Sequence, residues 1–189
     1  MGRGSVVSAL SSLFTRARLL GLALAALVAT FDQSTKWYVT RELGLNRIGD
    51  KLELLPFFDL TYTRNYGVSL GMLEATSMEM RWLLVLLTAG IALVVLVWLM
   101  REKRLGDILG LALILGGAIG NIYDRFTLGF VTDFADLHVH IAGDIFRPFL
   151  IFNVADAAIT IGVVVILARA LFVSEKDADS DAPSSALEN

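Results

Sequence analysis

The nineteen residues from Trp82 to Met100 carry no charged side chain, and that run limits what the chain can fold into. As a helix they measure about 28 Å, the thickness of a bilayer's hydrocarbon core. Three further apolar segments accompany them, at residues 19–39, 105–124 and 149–173. Helices satisfy their own backbone in lipid. The expected fold class is therefore an all-α polytopic membrane protein: four transmembrane helices and a small extracytoplasmic segment containing short β-strands. Composition agrees, with 56% of the 189 residues hydrophobic and 19% charged, where a soluble domain is roughly a quarter charged. A soluble enzyme, a nucleic-acid-binding module and a disordered scaffold all fit poorly. The absence of cysteine removes disulfides, thiolate metal sites and cysteine nucleophiles together.

Arg16 and Arg18 ahead of an apolar run, with Ala23-Leu24-Ala25 inside it, imitate a secretory leader. The small-residue triplet lies within the run and not behind it. The run is therefore expected to be a retained first span, with residues 1–18 a cytoplasmic or interfacial lead-in and 19–173 the membrane unit. Residues 174–189 hold five acids against one lysine, contain Pro183, and show no apolar period. They are expected to form a disordered cytoplasmic tail.

Arg3, Arg16 and Arg18 precede the first span, Arg101, Lys103 and Arg104 separate the second and third, and Arg169 and Lys176 lie at the end of the fourth. Basic residues near span ends mark the cytoplasmic side, so both termini are expected inside, with loops 40–81 and 125–148 outside. The basic residues of the first outer loop (Arg41, Arg47, Lys51, Arg64, Arg81) are interleaved with acids. That loop is too long for a plain connector. Leu52–Thr63 mixes aromatic, β-branched and apolar residues around Pro56, and reads as one or two short strands lying on the outer membrane surface.

Polar residues inside the spans need a reason, because an Asp near mid-membrane costs roughly 2.5–3.5 kcal/mol. Asp32 and Lys36 stand four apart on one helix face. Asn121, Asp124 and Arg125 end the third span, and Asn153 and Asp156 begin the fourth. In an up-and-down bundle all three clusters fall at the outer end, where Asn65 and Asp133 from the loops can join them. Each cluster also has a plain structural reading. Asp32 and Lys36 form an ion pair, Arg125 snorkels, and Asn153 caps the fourth helix. Gly116, Gly117 and Gly120 permit close helix packing. His138 and His140, with Asp136 and Asp144 near, are weak grounds for a metal, and no metal site is expected.

No nucleophile elbow, zinc-protease motif or phosphate-binding glycine loop is present. What remains is a set of carboxylates with amide and cationic neighbours. Two carboxyls sharing one proton in a dehydrated site can hydrolyse an amide with water as nucleophile. The same groups can relay protons in a small ion- or proton-coupled transporter. Spacing alone does not separate the two, although the apolar cytoplasmic halves of spans two and three favour a one-sided site.

The ordered blocks Asp32-Gln33-Ser34-Thr35-Lys36, Asn65-Tyr66-Gly67, Gly116 to Arg125 (GGAIGNIYDR), Val131-Thr132-Asp133-Phe134 and Phe152-Asn153-Val154-Ala155-Asp156 resemble those of the lipoprotein signal peptidases, or signal peptidase II. The resemblance covers Asp32 to Asp156. It implies an aspartic endopeptidase that cuts bacterial prolipoproteins on the N-terminal side of a diacylglyceryl-modified cysteine. It implies a catalytic dyad at Asp133 and Asp156, and supporting or substrate-contacting roles for Asp32, Lys36, Asn65, Gly117, Asn121, Asp124, Arg125, Asn153 and Ala155. It further implies residence in the bacterial inner membrane with the site at the periplasmic face, no metal or organic cofactor, and lipidated prolipoprotein and membrane lipids as partners of a monomer. Val68-Ser69-Leu70 departs from the pattern, in which small residues and then an aromatic follow the Asn-x-Gly block.

Overall fold

The computed structural model describes residues 14–67, 78–141 and 144–180. In chain order it comprises α1 (Arg16–Trp37), a π-helical turn (Tyr38–Glu42), β1 (Lys51–Leu55), β2 (Phe58–Asn65), α2 (Met78–Arg101), α3 (Leu105–Thr127), β3 (Val131–Leu137), β4 (Val139–Ile141), β5 (Asp144–Phe146) and α4 (Val154–Ser180). All four α-helices are long and apolar enough to cross a membrane. The chain is a four-span membrane protein carrying a small sheet.

α3 is the hub. Half of its apolar stretch is buried, against 17% to 28% for the other three spans. Glycine makes that packing possible. A Cβ on Gly116 would stand 2.6 Å from the carbonyl oxygen of Ala25 on α1, and one on Gly117 would strike the carbonyl of Ala155 on α4. Ala25, Leu99, Ile108, Leu111 and Leu115 form the buried apolar core among α1, α2 and α3. At the end of the bundle remote from the sheet, Arg18 Nε donates to the Glu102 carbonyl at 3.1 Å, and Arg169 Nε pairs with Asp107 Oδ1 at 2.6 Å.

At the opposite end β1, β2 and β3 form an antiparallel sheet in that order, while β4 and β5 pair separately. The strand reading of Leu52–Thr63 corresponds to β1 and β2, joined through a turn at Pro56-Phe57. β1 is exposed throughout, with Leu52, Leu54, Leu55 and Phe57 turned outward. Val39 and Leu45, beyond α1, pack with Leu60, Tyr62, Phe134 and Ala135 and seat the sheet on the first span.

Both boundaries of the fourth helix differ from expectation. The fourth helix begins at Val154 and not near Phe149, because Phe152 is extended and bridges Ala135 of β3. The same helix runs to Ser180, seven residues past Val173. Glu175 to Ser180 contain neither Gly nor Pro, so a helix already nucleated extends at little cost. The remaining tail, residues 1–13 and the departing Val68-Ser69-Leu70 lie outside the described residues.

Candidate active site

Asp133 enters on β3 and is 2% exposed; Asp156 lies in the first turn of α4. Asn153 and Asn121 join them. Asn153 Nδ2 shares its hydrogens among Asp133 Oδ1 at 2.6 Å, Asn121 Oδ1 at 3.2 Å and the Thr132 carbonyl at 3.3 Å. Asn121 Nδ2 donates to Asp156 Oδ1 at 2.8 Å. Asn153 also caps α4: its Oδ1 accepts the Asp156 N–H at 2.9 Å, and Asp156 Oδ2 accepts the Asn153 N–H at 3.3 Å. The capping role and the contact with Asp133 thus coexist in one side chain.

Burial, and then the neighbouring charge of Asp156, push the Asp133 carboxyl up to about 7 from an ordinary 3.8. Hydrogen bonds from Asn65 and Asn153 and the Lys36 charge oppose this without cancelling it. Asp133 therefore keeps its proton up to about pH 7, where it is half released. Two carboxyls in a dry site behave in this way because both cannot ionise cheaply.

Lys36 Nζ lies 2.7 Å from Asp32 Oδ2 and 3.0 Å from Asp124 Oδ2, and donates to Asn121 Oδ1 at 3.2 Å. Asp32, Lys36 and Asp124 are all buried. Arg125 donates through Nη2 to the Gly67 carbonyl at 3.0 Å, and its charge acts on Asp156, Asp133 and Asp124. Its Nε is buried with no acceptor among the described residues. Asn65, at the end of β2, bonds Asp133 and accepts the Gly67 N–H at 3.1 Å. Gly117, one helix turn before Asn121, meets Ala155, immediately before Asp156, in the contact that lets α3 and α4 approach.

His138 does not join this network. It meets Asp59 and Asp136 in the one described group with metal-ligand spacing. Asp136 is three residues along β3 from Asp133, hence on the other face of the strand. Asp59 and Asp136 oppose each other across β2 and β3, and Lys51 at 2.8 Å and Arg147 at 3.2 Å respectively balance them. Lys51 and Arg147 thus bring positive charge to the two acids of this cluster.

The chain is similar to known proteins over most of its length. A family model described as signal peptidase II matches residues 24–172. Two relatives named lipoprotein signal peptidase are each 52% identical to the chain. The Sphingopyxis alaskensis protein aligns over 87% of this chain and 92% of its own length, and the Rhizorhabdus wittichii protein over 84% and 89%. The chain belongs to the signal peptidase II family. A solved structure described as a bacterial membrane enzyme at 2.3 Å resolution superposes with a TM-score of 0.68 and 26% identity, covering 89% of this chain and 94% of its own. A second, at 1.9 Å, gives a TM-score of 0.65 and 31% identity over 80% of this chain and 92% of its own.

As a signal peptidase II the chain is a membrane peptidase, which leaves the transporter reading without support. Two residues join the site beyond those singled out by sequence. Gln33 was visible only as one polar residue in the first block, yet its Nε2 reaches Asp124 Oδ1 at 2.8 Å. Arg81 read as a loop charge, but its Nε and Nη2 donate to the Arg125 and Phe126 carbonyls at 3.0 and 2.6 Å. It caps the C-terminal end of α3, where cations are favoured.

Proposed function

We propose that Asp133 and Asp156 form the catalytic pair with which this signal peptidase removes signal peptides from diacylglyceryl-modified bacterial prolipoproteins. The observation that carries the reading is the joining of two acids from separate segments by Asn153 and Asn121, with the Asp133 carboxyl held protonated to about pH 7. Asp156 accepts two hydrogen bonds and stands at a helix N-terminus, a setting suited to a carboxylate. In this scheme Asp156 takes a proton from water, the resulting hydroxide adds to the scissile carbonyl, and Asp133 gives its proton to the carbonyl oxygen. Collapse of the diol breaks the C–N bond as the proton held by Asp156 passes to the leaving nitrogen, and one diol hydroxyl returns its proton to Asp133 as the new carboxyl forms. No covalent intermediate forms, and the steps require no metal or organic cofactor.

Arg125 Nε is a donor for a substrate carbonyl beside the pair. The substrate's acyl chains lie between spans and set the scissile bond against the acids, which turns lipid anchoring into orientation. The enzyme works as a monomer in the bacterial inner membrane, with its termini in the cytoplasm and the sheet end in the periplasm. Its lipid surroundings supply the second partner. Incubating the purified chain with a prolipoprotein whose cysteine carries diacylglycerol should release the signal peptide. The unlipidated precursor should stay intact. Cleavage of both precursors alike would overturn the lipid requirement, and cleavage of neither would overturn the substrate.

A further inference from the structure

Two backbone amides connect the proposed pair to the buried ion network. Thr132, immediately before Asp133, donates its N–H to Asp124 Oδ2 at 3.0 Å. Ala155, immediately before Asp156, donates its N–H to Asp32 Oδ1 at 2.9 Å. The two holding carboxylates are in turn tied to each other twice. Lys36 Nζ contacts both, and Gln33 Nε2 reaches Asp32 Oδ2 at 3.2 Å and Asp124 Oδ1 at 2.8 Å.

We propose that Asp32 and Asp124, linked by Lys36 and Gln33, are positioning residues that set the separation and aim of Asp133 and Asp156. The proposal rests on the reading of those two acids as the catalytic pair.

The parallel between the two halves argues for this role. β3 comes from the outer loop and α4 from the last span, and in the described residues the backbone pairing between β3 and the segment leading into α4 is confined to Phe152, which bonds Phe134 and Ala135 after Asp133. Their approach would therefore be loosely specified one residue before each acid. Ala155 N–H is among the first-turn donors that a helix leaves unsatisfied. Asn153 takes the next of these, the Asp156 N–H, and a carboxylate from a different helix takes this one. Since adjacent Cα atoms are about 3.8 Å apart, fixing the amide of residue n fixes where the side chain of residue n+1 begins.

Energetics point the same way. Three charged groups buried together are a poor source of stability, because desolvation offsets their attraction and an apolar replacement often does as well. Retaining them here is explained by what the carboxylates hold. Gly120 completes the fit, for a Cβ there would stand 2.5 Å from Asp32 Oδ2.

The test uses the full chain and a diacylglyceryl-modified prolipoprotein, reading kcat, KM, the pH profile of kcat and the thermal midpoint. Lys36→Met removes one tie but strands two buried carboxylates, and is expected to lower the yield of folded protein. Gln33→Met removes the other tie with no change in charge, leaving Lys36 and Arg125, the cations facing the pair, in place. Gln33→Met should lower kcat about tenfold with KM within about twofold. It should also move the alkaline limb of the profile down by about half a pH unit, because acids held farther apart share a proton less tightly. Gln33→Glu, which keeps the shape but puts a third carboxylate between two, should not restore the rate. Asp133→Asn, run in parallel, separates the two ideas. An active Asp133→Asn protein overturns the catalytic pair. An inert one beside a folded Gln33→Met enzyme of parental kcat and pH limb overturns the positioning role alone.

Discussion

Asn153 gives Asp133 a hydrogen bond of 2.6 Å and receives the backbone N–H of Asp156 at 2.9 Å, so one short side chain is in contact with both acids' segments. Asn153→Ala loses the helix cap, worth about 1 kcal/mol. It also frees the Asp133 carboxyl to turn. Misplacement on that scale should lower kcat about a hundredfold. A thermal melt alongside the rate assay distinguishes the two effects: the midpoint should fall by a few degrees while activity nearly vanishes.

Asp133→Asn and Asp156→Asn keep size and most hydrogen bonding while removing the titratable group. Each should abolish release of the signal peptide, and the double variant should be no worse than either single one, because a pair that shares a proton fails as a unit. Substrate binding, measured by co-purification of uncleaved prolipoprotein, should persist in both. Retained cleavage in either folded variant contradicts an aspartic mechanism.

The raised Asp133 carboxyl also predicts how stability varies with pH. Between an unfolded value near 3.8 and a folded value of about 7, the folded chain holds a proton that the unfolded chain has released. This contribution is fully present below 3.8 and is lost as pH rises to about 7. Asp133→Asn removes the titration. The inactive variant should therefore melt higher than the parent at pH 8 relative to its standing at pH 4. A constant difference across that range would show that Asp133 titrates normally.

Gly117 offers a test of packing that involves no titratable group. Its missing Cβ is what lets α3 meet the Ala155 carbonyl, so Gly117→Val should force the helices apart. Overpacking of this kind costs about 1–3 kcal/mol. The displaced Ala155 adjoins Asp156, so activity should fall even where the protein remains soluble in detergent. Yield and melting report the first effect, kcat the second.

Because the chain lacks cysteine, single cysteines report sidedness cleanly. In intact cells Arg47→Cys should react with an impermeant thiol reagent. Lys103→Cys, between α2 and α3, should be protected until the membrane is opened. The opposite pattern would place the site on the cytoplasmic face.

The spans were legible because lipid selects on one property, hydropathy, and Trp82–Met100 displays it without interruption. Asp32, Lys36, Asn121 and Asp156 could be found because charge and amide groups are conspicuous against that background. The assignment of the pair itself came from resemblance, since spacing alone left a proton relay open. Backbone donors were invisible: nothing in the letters of Thr132 or Ala155 says that their N–H groups face carboxylates from distant segments. Arg81 misled because charge says nothing about direction, and its guanidinium turns toward the end of α3 instead of water. The start of α4 was misjudged for a similar reason. Phe149 to Phe152 are apolar enough for a helix, but a strand partner captures Phe152 first.

The uneven burial of the four spans has a bearing on descent. Leu86 and Val94 on α2 and Leu171 on α4 face outward, where one aliphatic side chain serves a bilayer as well as another. Such positions are free to drift. On α3 the room for change is far smaller: Leu111, Gly116, Gly117, Gly120 and Asn121 each answer to a neighbour on another element. Lineages of this enzyme should accordingly accumulate their differences on the three peripheral helices, and a chimera that exchanges only lipid-facing residues between distant lineages should still cleave.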